Sequence, residues 1–142
     1  MKKILFISIM LILVSCQKQN SNNEERTYDY EDVLDRFIEW KDVLMQEEEY
    51  YFAYIFSYSC GHCKDIKQDI LRKTISDGWD IYYVEYTSEI SIVDGDEPYI
   101  GISSYEDLGI LGTPTLFEIT SGAISNRFTG SKEIINTLYS KR

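Results

Sequence analysis

The segment Ser57-Tyr58-Ser59-Cys60-Gly61-His62-Cys63-Lys64 places two cysteines two residues apart. It follows an apolar, aromatic run at residues 50–56 and precedes a stretch with helical periodicity, which together predict a strand, a turn and a helix. The first unpaired N–H groups of that helix would point at Cys60, and their positive potential favours a thiolate. Cys63, one turn later, is near enough to form a disulfide with Cys60. We therefore predict that the rest of the chain presents this pair.

Length and charge narrow the classes of protein to which this chain can belong. Its 142 residues predict one folded domain, and a hydrophobic content of 44% is enough for a core at that length. With 24 acidic and 14 basic residues, the formal charge of −10 would repel nucleic acid. We expect a monomeric domain that binds no nucleic acid and needs no cofactor beyond its own cysteine pair.

Patterns on both sides of the cysteines predict an α/β domain. The run at residues 50–58 is apolar on both alternate faces, which is typical of a central strand. A helix from Cys60 to Gly78 and a strand at residues 79–87 complete a strand–helix–strand unit with a right-handed parallel crossover. The other predicted elements are a helix at residues 31–45, a surface loop at 88–102, a short helix at 103–108 capped by Ser103, a hairpin of strands 115–119 and 123–128 turning at Ser121-Gly122, and a helix at 131–140.

The first sixteen residues predict export and lipid attachment. Lys2 and Lys3 precede an apolar run at residues 4–14 that has the length of a signal sequence and is too short to span a bilayer. The run ends in Leu13-Val14-Ser15-Cys16, which resembles the lipobox of bacterial lipoproteins. That resemblance implies cleavage before Cys16 and lipidation of its sulfur. A plain secretory signal with an incidental cysteine is the alternative.

A polar segment separates this leader from the domain. Residues 17–26 contain no large apolar side chain, so they cannot bury enough surface to fold and are predicted to form a flexible tether. We therefore divide the chain into a signal peptide at residues 1–15, a lipidated cysteine with its tether at 16–27, and a folded domain at 28–142. The domain would be anchored to the cell membrane by lipid, facing the extracytoplasmic side.

The order of the predicted elements resembles the thioredoxin family from about residue 28 to the C-terminus. The matching motifs are Cys60-Gly61-His62-Cys63, the Thr113-Pro114 pair before the hairpin, and the Gly130 turn. The resemblance implies a thioredoxin fold, which is a central mixed β-sheet flanked by helices. It also implies that Pro114 is cis and lies against the cysteines. The substrate-docking edge would then be formed by Gly61, Thr113, Pro114 and Gly130.

Three features depart from thioredoxin itself. Ser59 stands where thioredoxin has a tryptophan, and Tyr54 stands where it has a buried aspartate. The loop at residues 88–102 is also longer than the thioredoxin loop. We therefore interpret the chain as a relative of thioredoxin rather than as thioredoxin.

The dipeptide Gly61-His62 between the cysteines is the pair that the protein disulfide isomerase family uses. An imidazolium at His62 would stabilise the Cys60 thiolate, and a stabilised reduced form makes the disulfide more oxidising. We expect a potential above the roughly −270 mV of thioredoxin and nearer the about −180 mV of isomerase sites. The alternatives are an exposed, solvated histidine and a zinc site. Zinc is disfavoured because this turn supplies too few ligands, so no metal is expected.

Thiol–disulfide exchange at this pair would proceed in two steps. Cys60 attacks a partner disulfide as a thiolate, and Cys63 resolves the mixed disulfide. A base must accept the proton of Cys63, and the aspartate that thioredoxin uses is absent. Extending the two predicted strands without gaps places Glu85 beside Tyr54, where it would be a candidate base. The alternative is a glutamate at the strand edge or facing solvent.

Three functions are compatible with these patterns. The first is a membrane-anchored thiol–disulfide oxidoreductase acting on protein thiols and disulfides outside the cytoplasm, as an oxidase or isomerase, or as a reductase fed by a membrane electron carrier. The second is a non-catalytic, thioredoxin-like accessory lipoprotein with a structural disulfide. The third is a solute-binding lipoprotein, which is disfavoured because so small a domain cannot form two lobes around a ligand. Reduction of insulin disulfides would separate the first from the others.

The lipobox prediction is tested by Cys16→Ala. We expect this substitution to abolish incorporation of labelled fatty acid and to block normal processing of the leader, because the modified sulfur is lost. Metabolic labelling of membrane fractions measures both effects. Recovery of the unsubstituted protein as a soluble form cut at another position would contradict the prediction.

Overall fold

The computed structural model describes residues 26–95 and 98–141, so the predicted signal peptide, Cys16 and almost all of the tether lie outside the described residues. A four-stranded mixed sheet with the order β2-β1-β5-β6 forms the centre of the domain. Its strands are β1 (Tyr50–Phe56), β2 (Ile81–Glu85), β5 (Thr115–Thr120) and β6 (Ala123–Thr129), and two short strands, β3 (Ser91–Ile92) and β4 (Gly109–Ile110), pair separately. The helices are α1 (Gly61–Ile75) and α2 (Ser131–Ser140), with three 3₁₀-helices at Tyr30–Arg36, Trp40–Asp42 and Tyr105–Asp107.

The strand before the cysteines is the central one, as predicted. Six of the seven residues of β1 are buried, from Tyr51 to Phe56. β1 pairs with β2 in parallel through the crossover helix α1, and it pairs with β5 in antiparallel. The β5–β6 hairpin turns at Ser121 and Gly122, whose φ values of 52° and 74° are those a two-residue turn of this hand requires.

Both faces of the sheet are covered, and the thioredoxin fold implied by the resemblance is confirmed. On one face, α1 and α2 pack through Ile70, Leu71, Ile134 and Leu138. On the other face, the segment around Trp40–Asp42 and the small β3–β4 sheet enclose a second cluster. The second cluster includes Trp40, Val43, Tyr51, Ile55, Ile90, Leu108, Ile110 and Phe117.

The predicted helix at residues 31–45 is wrong. The structure has two short 3₁₀-helices there, because Phe37 leaves helical geometry and forms an isolated parallel bridge with Tyr83 of β2. The next amide, that of Ile38, donates to the Tyr83 carbonyl at 3.0 Å, and the Phe37 and Tyr83 rings stack with centroids 5.7 Å apart. A sheet contact at Phe37 therefore interrupts the predicted helix in its middle, and Leu34 and Met45 are left exposed.

The predicted loop at residues 88–102 contains structure that its sequence does not reveal. β3 lies within it and pairs in parallel with β4, joining Ser91 to Gly109 and Ile92 to Ile110. The short helix after the loop is a single 3₁₀ turn at Tyr105–Asp107. Its N-cap is Ser104 rather than Ser103, with the Ser104 hydroxyl accepting from the Glu106 amide. Strands of two residues are too short to produce a recognisable period.

The correction at residues 31–45 predicts unequal costs for two leucine truncations. Leu44 is 7% exposed and belongs to the core, whereas Leu34 is 64% exposed. We expect Leu44→Ala to lower the free energy of unfolding by about 2–5 kcal/mol and Leu34→Ala by no more than about 0.5 kcal/mol. Urea unfolding measures both. Similar losses of stability at the two positions would support the continuous helix predicted from the sequence and contradict the structure.

Candidate active site

The two cysteines occupy the start of α1, directly after β1. Cys60 is the N-cap residue of α1 with extended backbone angles, and its Sγ accepts a hydrogen bond from the Cys63 amide at 3.2 Å. The strand ends at Phe56 and the helix begins at Gly61, so only a tight turn separates them. Both cysteines are free thiols in this structure. The predicted strand, turn and helix around the pair are therefore confirmed.

The surroundings of Cys60 favour its thiolate. Partial burial raises the pKa of Cys60, but hydrogen bonds outweigh this effect and the pKa lies below its ordinary value. The bonds come from the Cys63 side chain, the Thr113 side chain, and the backbone amides of Cys63 and His62. These amides belong to the first turn of α1, where helical N–H groups have no carbonyl partner. The sulfur of Cys60 is therefore the better nucleophile of the two.

Cys63 has the opposite character. Its side chain is 1% exposed and faces the core between α1 and the sheet. Burial is the largest of the causes that raise the pKa of Cys63 to about 11, and the hydrogen bond with Cys60 adds to it. Cys63 is thus held as a neutral thiol beside an activated one.

Thr113 contacts the cysteine pair, and Pro114 follows it directly. The Thr113–Pro114 peptide bond is cis, as the resemblance implies. The Thr113 carbonyl accepts from the Cys60 thiol at 3.4 Å, which favours the thiol form, whereas the Thr113 side chain lowers the pKa of both sulfurs. The Pro114 carbonyl accepts from the Gly130 amide at 2.9 Å, so the predicted docking residues on these two loops lie in one place.

Gly61 and Gly130 lie at the N-termini of the two helices, with Gly61 as the first residue of α1. Gly130 has a φ of 84° and is the N-cap of α2. A groove of about 470 Å³ begins at His62 and runs along this N-terminus. It is lined by His62, Thr129, Gly130, Ser131, Lys132, Glu133 and Asn136. Neither cysteine lines this groove, which reaches the cysteine motif only at His62.

The side chain and the backbone of His62 have different surroundings. The ring is exposed, and its Nδ1 lies 3.7 Å from the Asp65 carboxylate, one turn further along α1. The side chain of His62 is not among the groups that lower the pKa of Cys60, although its backbone amide is. The N–H group of His62 therefore lowers the pKa of Cys60, and the role of the imidazole stays a prediction.

The placement of Glu85 beside Tyr54 is wrong. In the observed register Tyr54 pairs with Tyr83, and Glu85 pairs with Phe56 at the end of β2. Glu85 is exposed to solvent there, because β2 ends at this residue. An exposed carboxylate cannot act as a buried base, so Glu85 matches the solvent-facing alternative.

Sequence reasoning missed the position that does lie behind Cys63. Tyr54 is fully buried in the same core cluster as Cys63, within a group of stacked and edge-on aromatic rings. The rings that contact it are those of Phe56 and Tyr83. The available signal was the place of Tyr54 six residues before Cys60, which marked it only as a replaced aspartate.

The described residues show neither a metal-binding cluster nor a membrane-spanning helix. Within residues 26–95 and 98–141, no cluster of three or more histidine, cysteine or acidic side chains has the arrangement of a metal site. No helix of this part of the chain is long and apolar enough to cross a bilayer.

Comparisons with known proteins give structural similarity alone. No family model and no curated protein matches the chain. Among solved structures it is similar to thioredoxin f2 of Chlamydomonas reinhardtii, at 15% identity over 75% of this chain and 94% of that chain, with a TM-score of 0.48. It is similar to thioredoxin O2 of Arabidopsis thaliana at 17% identity, 75% and 94% coverage and a TM-score of 0.44. It is also similar to thioredoxin NaTrxh of Nicotiana alata, at 17% identity over 75% of this chain and 93% of that chain, with a TM-score of 0.45.

These similarities are too distant to identify a function, so the chemistry must be inferred from the chain itself. Its sheet order is that of a thioredoxin-like fold, and two thiols of unequal pKa lie within one helical turn. This combination supports thiol–disulfide oxidoreductase chemistry in general.

The geometry of residue 62 predicts different effects for two substitutions. His62→Ala keeps the amide that contacts Cys60, so we expect the pKa of Cys60 and the potential of the pair to stay near their original values. His62→Pro removes the N–H group in the first helical turn, where proline is tolerated. We expect it to raise the pKa of Cys60 and lower the potential by roughly tens of millivolts.

Alkylation rates across pH and redox titration against glutathione measure these effects. Lower pH should slow alkylation of Cys60 in every variant, and His62→Pro should need a higher pH for the same rate. If His62→Ala and His62→Pro change the pKa of Cys60 and the redox potential equally, the imidazole and not the amide stabilises the thiolate.

Proposed function

We propose that this protein is a thiol–disulfide oxidoreductase that exchanges disulfides with protein substrates through Cys60 and Cys63. The observation that carries the proposal is the geometry of the pair: Cys60 is the partly exposed N-cap of α1, and Cys63 is buried one turn later. The pKa values of the two thiols accordingly shift in opposite directions, which makes Cys60 the nucleophile and keeps Cys63 protonated. A purely structural disulfide has no need of that difference, since neither sulfur must attack a partner.

The first step is an attack on a partner disulfide. The Cys60 thiolate bonds to one sulfur of the partner and the other sulfur leaves as a thiolate, which produces a mixed disulfide. The amides of His62 and Cys63 stabilise the thiolate before the attack. Partial exposure of Cys60 allows a partner sulfur to approach it.

The second step releases the partner. Cys63 attacks the sulfur of Cys60, the bond to the partner breaks, and the pair closes as a disulfide. The reverse sequence oxidises a substrate dithiol. Because both directions use the same two bonds, the direction depends on the redox partner that restores the pair.

Substrate contact is proposed along the Thr113–Pro114 edge and the groove beside Gly130. The edge contacts the Cys60 sulfur through Thr113, and the groove begins at His62. The surface of the groove is mostly apolar although its lining residues are polar in type, which suits an extended polypeptide that places apolar side chains against it.

The site of action is proposed from the leader sequence. Lipid attached to Cys16 would anchor the domain to the membrane through the tether, facing the extracytoplasmic side. Protein thiols and disulfides outside the cytoplasm are the substrates in this proposal. A membrane electron carrier would supply electrons if the protein acts as a reductase.

The order of attack is tested by trapping. Cys63→Ala removes the resolving thiol, so mixed disulfides between Cys60 and its substrates should accumulate in intact cells. They should survive non-reducing gels, disappear with reductant, and identify the substrates by mass spectrometry. Cys60→Ala is the matched control and should capture far less, because Cys63 is buried.

The same experiment tests the alternative function. An accessory lipoprotein with a structural disulfide predicts no trapped partner in either variant, together with a loss of stability in both. An empty Cys63→Ala trap, with no insulin reduction by the purified protein, would falsify the proposed enzyme.

A further inference from the structure

The hydroxyl of Tyr54 lies behind the resolving cysteine and has no structural partner. Tyr54 is 0% exposed and shares a core cluster with Cys63. Its Oη is one of two buried side-chain polar atoms without a hydrogen bond in the described part of the chain. Burying a hydroxyl without a partner costs free energy, so stability alone gives no reason for a tyrosine here instead of a phenylalanine.

Electrostatic contacts connect this hydroxyl to the reactive sulfurs. Burial is the main cause that raises the pKa of Tyr54, and Tyr30, Cys63 and Cys60 raise it further. The hydroxyl lies near the Cys63 sulfur and the Tyr30 hydroxyl, but neither contact has the geometry of a hydrogen bond. The Tyr54 hydroxyl is therefore not hydrogen-bonded in the dithiol state. With a raised pKa it stays protonated and is a donor rather than a base.

The other titratable groups around Tyr54 and Cys63 are Cys60 at the start of α1, Tyr30 in the first 3₁₀-helix and Tyr83 on β2. Burial raises the pKa of both tyrosines, which stay protonated, and Cys60 carries no charge in the mixed disulfide because its sulfur is bonded to the substrate. Leu116 of β5 and Ile134 and Leu138 of α2, which complete the same cluster, carry no titratable group. The groups that lower the pKa of Cys63 are hydrogen-bond donors, the Ser57 backbone and the Thr113 side chain, and neither is a carboxylate.

We propose that the Tyr54 hydroxyl donates a hydrogen bond to the Cys63 sulfur whenever that sulfur gains negative charge during disulfide exchange. This inference rests on the proposed function and supplies the group that Glu85 does not. A donor that forms its bond only with the charged sulfur stabilises the reacting state and not the resting thiol.

The resolving step balances with no other reactant. Cys63 transfers its proton to the departing substrate sulfur as its own sulfur attacks Cys60. The bond between Cys60 and the substrate breaks, its electron pair leaves with the substrate sulfur, and the substrate departs as a thiol. In the reverse direction Cys63 is the leaving group, and the same hydroxyl stabilises it.

Tyr54→Phe tests the proposal because it removes one oxygen and keeps the ring. We expect resolution of the mixed disulfide at pH 7 to slow about tenfold, with the pH profile displaced upward by about one unit. The rates of the two proteins should converge at alkaline pH. The melting temperature should be unchanged or higher, because an unpartnered buried hydroxyl is removed. Quenched single-turnover reduction of a peptide disulfide, by the full-length chain in detergent, measures the rate.

Tyr83→Phe is the matched control. Tyr83 is equally buried, but its hydroxyl lies 2.6 Å from the Thr74 hydroxyl within hydrogen-bond distance. We expect its loss to lower the melting temperature and to leave the pH profile of resolution in place. A Tyr54→Phe protein with the original profile, at any melting temperature, would overturn the proposal.

A second measurement separates this proposal from the proposed function. Carbon-13 labelling of the cysteine Cβ atoms reports the ionisation of Cys63 without any substrate. An upward shift of the Cys63 pKa in Tyr54→Phe supports the hydrogen bond even if the protein reduces no disulfide. An unchanged Cys63 pKa overturns it even if the protein is an active oxidoreductase.

Discussion

The backbone amides at the start of α1, directed at the sulfur of Cys60, are the interaction on which the candidate site depends. They are available because the first N–H groups of a helix have no carbonyl partner within it. Their aim requires that β1 ends at Phe56 and that α1 begins at Gly61 after a tight turn. The buried strand, the turn and the helix are thus all needed to direct these amides at one thiol.

Burial gives the second thiol the opposite property within the same turn. Cys63 points into the cluster between α1 and the sheet, where the charged form of a thiol is poorly solvated. A partner disulfide therefore meets one sulfur that is ready to attack and one that is not. The order in which the two sulfurs react follows from how deeply each cysteine is buried. The two residues are chemically identical and differ only in position.

Elements with long, unbroken periodicity could be predicted from the sequence. Features that depend on a single tertiary contact could not. The period after Cys60 predicted α1, and the turn residues predicted the hairpin. Residues 31–45 also have a helical period, but the bridge at Phe37 ends the helix. In the site, the cysteines and Pro114 followed from their motifs. The prediction misplaced Glu85 because strand register cannot be counted from sequence. It missed the His62 amide because every residue except proline has a backbone N–H group, so the residue type does not indicate which N–H group acts as a donor.

The bridge at Phe37 also covers one exposed edge of the sheet. β2 is an edge strand, and edge strands present unpaired N–H and C=O groups on which another chain can add. Phe37 and the Ile38 amide occupy the middle of that edge. A second chain could add there only after separating the stacked Phe37 and Tyr83 rings. A short irregular segment therefore protects this edge from self-association, which a longer helix packed elsewhere would leave open.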